Sequence, residues 1–418
     1  MIQRKPAFAA LRHRDFRLLW LGLIVSVTGS QMQTVAINWH VYLLTRSAVA
    51  LGLVGLFRGV PVILCSLIGG VVADAVNRRR LLIVTQTVML VSAGLLTATT
   101  LAGIKSVWPI YLLSALASAA TAFDIPARQA LMPALVPLED FPNAVSLTMI
   151  VFNVATISGP AIAGVLLASS GPALIYGINA ISFVAVIVAL LAMRTSGSPE
   201  LQSDRRQALS FAALKEGLKF VWRTPIMVQT MTLDFVATFF ASATLLLPIF
   251  AREYLHVGPH GYGLLAAGPA LGSVITAFFK ARLGTFQRQG RLVVWSVAVY
   301  GVATAAFGVS RVFWFSFLML ALTGAADTVS TVLRQTIRQL VTPNYLRGRM
   351  TSINMMFFMG GPQLGELEAG LLAALIGAPL SVVVGGLGST VAAGLAALKS
   401  KSLMKFEISN VRDEITVQ

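Results

Sequence analysis

Charge is what this chain most lacks. Only 11% of its 418 residues are charged, 56% are hydrophobic, and the mean hydropathy is +0.79. A soluble domain of this size cannot cover its surface with so few charges, so the composition excludes one and points to a chain that crosses a membrane many times. Acid is scarcer still, 16 Asp and Glu against 32 Lys and Arg. The resulting net charge of +16 would suit a nucleic-acid binder, but the bases fall almost wholly in alternate loops, which argues against that reading. The single cysteine, Cys65, rules out an intramolecular disulfide. Histidine is sparse too, with four in the chain. His256 and His260 are separated by Gly258-Pro259 and no cysteine joins them, so no metal site and no cofactor are expected. No glycine-rich nucleotide loop is present, because Gly365-Glu366 and Gly258-Pro259 lack its lysine and its strand. No nucleophile sits beside a base, so the chain does not read as an enzyme. The N-terminus has no short apolar region followed by a small-residue cleavage site, and no cleaved signal peptide is expected.

What the chain has in abundance is long apolar runs. A helix needs roughly 20 apolar residues to cross a bilayer core of about 30 Å. On that measure twelve spans are expected, near 17–44, 48–73, 80–102, 107–125, 143–169, 173–193, 225–250, 260–281, 290–309, 312–333, 351–376 and 378–398. With both termini in the cytoplasm, 27 of the 32 Lys and Arg fall in inner segments. Outer loops hold only Arg46, Lys105, Arg252 and Arg311, and Arg58 lies within the second span. That bias fixes the expected orientation. The longest inner loop, 194–224, opens on the flexible run Thr195-Ser-Gly-Ser-Pro199. It continues with Phe211, Leu214, Leu218 and Val221 on one helical face and Lys215 and Lys219 on another. This reads either as a helix lying on the inner leaflet or as a solvated linker helix.

The chain repeats itself. Arg128-Gln129 precedes Pro137, and Arg334-Gln335 precedes Pro343 at an offset of 206 residues; Gly159-Pro160 is echoed by Gly361-Pro362. The expected organisation is a six-helix half at 1–193, a linker at 194–224, a second six-helix half at 225–398, and a tail at 399–418. Parallel repeats of this kind place a substrate site between the halves.

Several polar groups stand inside the spans. Gln31, Thr34 and Asn38 share a face of the first span, as expected of a stripe facing a water-filled cavity or a neighbouring helix. Thr230, Asp234 and Thr238 align on the seventh span, and Asp234 lies roughly 13 Å along it at 1.5 Å per residue. A carboxylate at that depth must be either protonated or paired, so it is a candidate for proton coupling or for a fixed ion pair. Asp327, with Thr323, Ser330 and Arg334 on the tenth span, and Glu366, near Gln363 and Glu368 on the eleventh, are further protonation candidates. Arg58 is placed to meet an acid or an anionic substrate, or to snorkel. Met355 and Phe358, within a cluster of Met and Phe, are candidates for an adaptable apolar cavity wall.

The loop after the second span reads Gly69-Gly70-Val-Val-Ala-Asp74-Ala75-Val-Asn77-Arg78-Arg79-Arg80. It resembles the loop between helices two and three of the major facilitator superfamily, with Ala75 in place of a base and Asn77 in place of a glycine. Arg14-Asp15-Phe16-Arg17-Leu-Leu-Trp20, Trp39 to Thr45, Asp124-Ile-Pro126-Ala-Arg128-Gln129-Ala, Leu247-Pro248-Ile-Phe-Ala251, Val257-Gly258-Pro259 and Gly365-Glu366 extend that resemblance over nearly the whole chain. Within the superfamily the chain is similar to the enterobactin-exporter-like branch of siderophore and multidrug efflux proteins. Ser158-Gly159-Pro160-Ala-Ile-Ala-Gly164 is similar to the fifth-helix signature of antiporters. Its glycines admit close helix packing and its proline permits a kink.

The resemblance implies an all-α fold of twelve transmembrane helices in two pseudo-symmetric halves. It also implies efflux of an amphipathic small molecule by alternating access, exchange for protons, and a monomer in a bacterial inner membrane. It assigns Asp74 to an inner-side latch. Gly70, Arg78, Asp124, Arg128 and Arg334 are grouped with Asp74 as gating candidates, and Asp74→Asn is expected to lower transport while leaving folded yield intact. The alternatives carried beside efflux are a lipid or lysolipid translocator of the same fold and a non-transporting membrane sensor.

Overall fold

The computed structural model describes residues 8–197, 219–283, 287–342, 347–404 and 406. Most of the expected interfacial helix falls on 198–218 and lies outside them. The described residues form helices and no strands. Among the described residues eleven helices are long and apolar enough to cross a bilayer, and α11 makes a twelfth by length: α1 Arg14–Thr45, α2 Ala48–Ala75, α3 Arg78–Leu101, α4 Trp108–Leu131, α5 Phe141–Ser169, α6 Pro172–Ala192, α7 Pro225–Phe240 with its continuation to Tyr254, α8 Gly258–Leu283, α9 Gln289–Val309, α10 Phe313–Val341, α11 Arg347–Ile376 and α12 Ala378–Lys399.

Local chemistry sets the ends. Asn77 caps α3, its side-chain oxygen accepting from the Arg80 amide at 3.1 Å. The tight turns into α6 and α12 carry Gly171 at φ 74° and Gly377 at φ 87°, a backbone region that glycine enters freely. These glycines are separated by the same 206-residue offset as the Arg-Gln repeat. α4 and α10 run six and eight residues past the expected limits of their spans. Apolarity ends at the first charges, but the helical backbone continues through Arg128 and Arg334.

The seventh span departs from expectation by breaking in the middle. α7 stops at Phe240, and a 3₁₀ turn (Ala243–Leu246), a short α turn (Leu247–Ile249) and a π turn (Phe250–Tyr254) continue it. Pro248 has no N–H to give the ladder and its ring crowds the preceding turn. The carbonyls around the break find other partners. Ala241 O accepts from the Tyr300 hydroxyl at 3.2 Å, and Ser242 Oγ turns to Pro362 O at 3.2 Å.

The helices gather into two compact units. One comprises Met1–Arg46, Phe57–Leu201 and Gly258–Ala267, the other Ser47–Leu56, Gln202–Val257 and Gly268–Gln418. In the first, α1 packs on α5 and α6, α3 packs on α4 and α6, and α5 touches α6. In the second, α7 packs on α11 and α12, α9 packs on α10 and α12, and α11 touches α12. Each pairing in the first unit recurs in the second six helices later.

The units are not the two sequence halves. The first ten residues of α8 belong to the first unit, and the segment Ser47–Leu56, which opens α2, belongs to the second. Glycine makes both placements possible. A Cβ on Gly164 of α5 would lie 2.9 Å from Gly263 Cα and from Pro259 O, so α8 and α5 touch backbone to backbone in the first unit. In the second, a Cβ on Gly370 of α11 would lie 2.7 Å from Ala48 O and 2.8 Å from Gly52 Cα.

Candidate functional site

In the second unit, α7 and α10 bring Arg334 to Asp234 and Asp327, with Arg338 one turn further along α10 also within electrostatic reach of Asp234. Arg334 Nη2 lies 2.6 Å from Asp234 Oδ1, and both side chains are shut away from solvent, at 2% and 5% exposure. Asp327 Oδ1, two turns back along α10, is 4.0 Å from the same nitrogen, and its side chain is 47% exposed. Thr331 links the two ends, accepting from Arg334 at 3.0 Å and donating to Asp327 at 3.4 Å. Thr230 and Thr238 donate their hydroxyls to carbonyls of α7 itself, leaving Asp234 as the member of that stripe that reaches α10. The Asp234–Arg334 contact lacks the alignment of a hydrogen bond. Asp234 Oδ1, Arg334 Nε and Ser330 Oγ are therefore buried without one among the described residues. Buried polar groups nearly always find a partner, so these three mark the cluster as under-satisfied.

The sequence groups Arg334 with Arg128 as gating candidates, and the structure gives Arg334 a partner on another helix. It also supplies the cation that Asp234 needed. Glu366 lies elsewhere in this unit, at the crossing of α11 with the opening of α2, where a Cβ on Gly55 would sit 2.6 Å from its Cβ and Oε2. Thr238 is packed against Gly361. The side chains of Met355 and Phe358 lie outside the described residues, as does that of Asp74.

The first unit holds a charge cluster of its own at the end of α4. Asp124, 1% exposed, accepts from Thr85 Oγ1 at 3.0 Å and from Gln86 Nε2 at 2.8 Å on α3, and from Arg128 one turn along α4. Arg78 does not join it. Its Nη1 donates to Ala130 O at 3.1 Å, closing the last turn of α4. At Gly70 a Cβ would meet nothing within 4 Å. Arg334 and Arg128 are thus repeats by position, but Arg128 finds its acid on its own helix and Arg334 finds it across a helix interface.

Further along α1, the expected stripe meets three different neighbours. Gln31 donates to Thr156 of α5 at 3.4 Å, beside Gly159, whose Cβ would lie 2.6 Å from Gln31 Cβ. Pro160 O and Gly164 face Gly263. Thr34 Oγ1 accepts from Arg58 Nη2 at 3.4 Å. Asn38 Oδ1 is buried beside the Tyr262 hydroxyl, which is turned to Val35 O at 3.0 Å and leaves that oxygen without a hydrogen bond. Trp39 stacks on the Tyr262 ring at 5.2 Å.

Sequence reasoning missed a second polar face on α1. Gln33 accepts from Asn179 at 2.8 Å, and His40 meets the Tyr176 hydroxyl at 3.2 Å, both on α6. The signal was available. Gln33 and His40 are seven residues apart, on the side of the helix opposite Thr34 and Asn38.

Two units built on one repeated helix pairing, with buried charge clusters between helices, define a membrane transporter of the major facilitator type. The chain belongs to the transmembrane secretion effector family of that superfamily, which matches residues 5–415. The enterobactin exporter EntS of Salmonella choleraesuis is 26% identical over 395 residues, covering 94% of this chain and 94% of that protein. EntS of Escherichia coli O81 is 25% identical over 394 residues with the same coverage. Among solved structures, a POT family transporter in complex with a thioalcohol-conjugated peptide superposes with a TM-score of 0.74 at 10% identity, covering 94% of this chain and 97% of that one. The nucleoside transporter NupG superposes with a TM-score of 0.66 at 15% identity, covering 93% and 99%. These are likenesses of fold. The family is one of transporters rather than enzymes, and the chain is a multi-pass membrane protein.

Proposed function

We propose that this protein exports an amphipathic, siderophore-like small molecule from the bacterial cytoplasm, by alternating access and in exchange for protons. It would sit in the inner membrane as a monomer with both termini inside. The relatives named enterobactin exporter support the cargo class. The single observation that carries proton exchange is the pair of acids competing for Arg334. One guanidinium neutralises one carboxylate, and Asp234 holds it at 2.6 Å. Asp327, at 4.0 Å and half open, is the acid held more loosely. A carboxylate that is loosely paired and open to solvent is placed to exchange a proton when its cation moves away. In this reading Asp327 loads and releases the proton, and Arg334 shifts between the two acids as it does so. Asp74, Arg78, Asp124 and Arg128 would hold one end of the transporter closed during the cycle.

The test is mass spectrometry of cells and medium, with the gene present and deleted, under iron limitation. A metabolite that leaves the medium and accumulates in the deletant supports export. If no compound changes compartment, siderophore export is wrong, and drug efflux or lipid translocation takes its place. Proton coupling is tested separately, in vesicles with an imposed pH gradient. Asp327→Asn should abolish the dependence on that gradient, and a variant that keeps it would remove Asp327 from the role.

A further inference from the structure

Among the described residues Arg58 pairs with no acid. It is the eleventh residue of α2, so at 1.5 Å per residue it lies roughly 15 Å along a helix that crosses a core of about 30 Å. That is too deep for its guanidinium to reach either surface easily. Its neighbour fixes its direction. Phe57 stacks on Tyr111 of α4 at 5.0 Å and meets Trp108 edge-on at 6.0 Å. The adjacent Arg58 therefore points away from α4 and towards α1, where its Nη2 donates to Thr34 Oγ1 at 3.4 Å. Among the described residues this long hydrogen bond to a neutral hydroxyl is its polar contact, and no carboxylate forms an ion pair with it. One turn further along the same face of α1, Asn38 Oδ1 is buried without a hydrogen bond.

A guanidinium inside a membrane needs an anion, and a buried amide oxygen needs a donor. Among the described residues no acid pairs with Arg58, and the hydroxyl nearest Asn38 is turned to Val35 O, whereas Arg128 and Arg334 each have an acid. We propose that Arg58, with Thr34 and Asn38 beside it, is the recognition site for an anionic group on the transported molecule. The preferred cargo is a small organic anion carrying an O–H or N–H donor close to its negative charge. This rests on the export reading and adds to it the charge of the cargo. It also explains why the bond to Thr34 is long: a tighter internal partner would compete with the ligand.

The test uses the full chain in lipid nanodiscs at neutral pH and two probes of the same size, salicylate and its neutral amide, salicylamide. A charge-assisted contact predicts that salicylate binds the wild type roughly tenfold or more tightly than salicylamide. Arg58→Gln should remove that preference and Arg58→Lys should keep part of it. Thr34→Asp is the discriminating variant, because it places a carboxylate where Arg58 already points. If Arg58 receives an anionic ligand, the new acid occupies it and the salicylate preference disappears. If Arg58 merely braces α1 against α2, the new ion pair strengthens the brace and raises the melting temperature without touching the preference. The proposal is overturned if wild-type protein does not distinguish the probes, if it binds neither, or if Arg58→Gln or Thr34→Asp retains the preference in a monodisperse sample. Because binding is measured on purified protein, failure of export in cells leaves this result standing, and the reverse holds as well.

Discussion

At the scale of single residues, burial decides what each charge can do. Arg334 is 1% exposed and Asp234 is 4% exposed, so removing either one takes away the other's near partner inside the helix interface. Asp234→Asn is expected to destabilise the protein by about 3–5 kcal/mol, the usual cost of breaking a buried pair from one side. This would appear as a lower melting temperature and a poor yield of monodisperse protein. Asp234→Asn combined with Arg334→Gln removes both charges and should recover much of that loss, since a neutral pair carries no stranded ion. Asp327→Asn is expected to behave differently: Arg334 keeps its near partner, so folded yield stays close to wild type while proton dependence is lost. A double variant no more stable than Asp234→Asn alone would show that the pair is not what holds α7 to α10. Asp124 invites the same argument in the first unit, where three donors on α3 and α4 converge on one carboxylate. Asp124→Ala strands them all and is expected to cost about 3 kcal/mol or more.

At the scale of helices, glycine decides where backbones meet. A Cβ on Gly263 of α8 would lie 2.6 Å from both Gly164 Cα and Pro160 O, and backbone cannot swing aside as a side chain can. Gly263→Ala should therefore force α8 from α5, lowering both transport and thermal stability. Gly70 provides the contrast, since a Cβ there meets nothing within 4 Å. Gly70→Ala is expected to leave yield and melting temperature unchanged or slightly raised, because alanine is the better helix former by about 0.5–1 kcal/mol. Measuring the two variants side by side separates glycines needed for packing from those that are not, and equal losses would sink the distinction. These close crossings also mark the limit of what the sequence makes legible. The twelve spans can be read from it because bilayer thickness sets a length that apolar runs must match. The extension of α4 and α10 cannot, because apolarity stops at the membrane surface and the helical backbone does not. Pro248 hints at the break after Phe240, but one proline leaves the exact site open. Spacing along one helix aligns Thr230, Asp234 and Thr238. It says nothing of a partner 100 residues away in sequence, so the Asp234–Arg334 pair emerges only when α7 and α10 are placed together.

At the scale of the whole molecule, the repeat and the charge bias make separate claims that one labelling experiment joins. The repeated helix pairing and the 206-residue offset say that the second six helices follow the same course as the first. With six helices in each set, both sets start on the same side of the membrane, so the chain's two ends do as well. The distribution of Lys and Arg then says which side that is, because 27 of the 32 fall in segments on the side of the termini. The loop between α3 and α4, which holds Lys105, is thereby predicted to lie outside, and the loop between α4 and α5, which holds Glu139, inside. The chain has one native cysteine to remove, Cys65. In a Cys65→Ser background, Lys105→Cys should react with a membrane-impermeant maleimide added to intact spheroplasts. Glu139→Cys should react only after the membrane is opened. Labelling of both sites from outside would break the alternation of the spans. The reverse pattern would keep the spans and invert the molecule, placing the Asp124 cluster on the outer face. An inverted molecule could not use that cluster as an inner latch, so the gating assignment made under the proposed function stands or falls with this result.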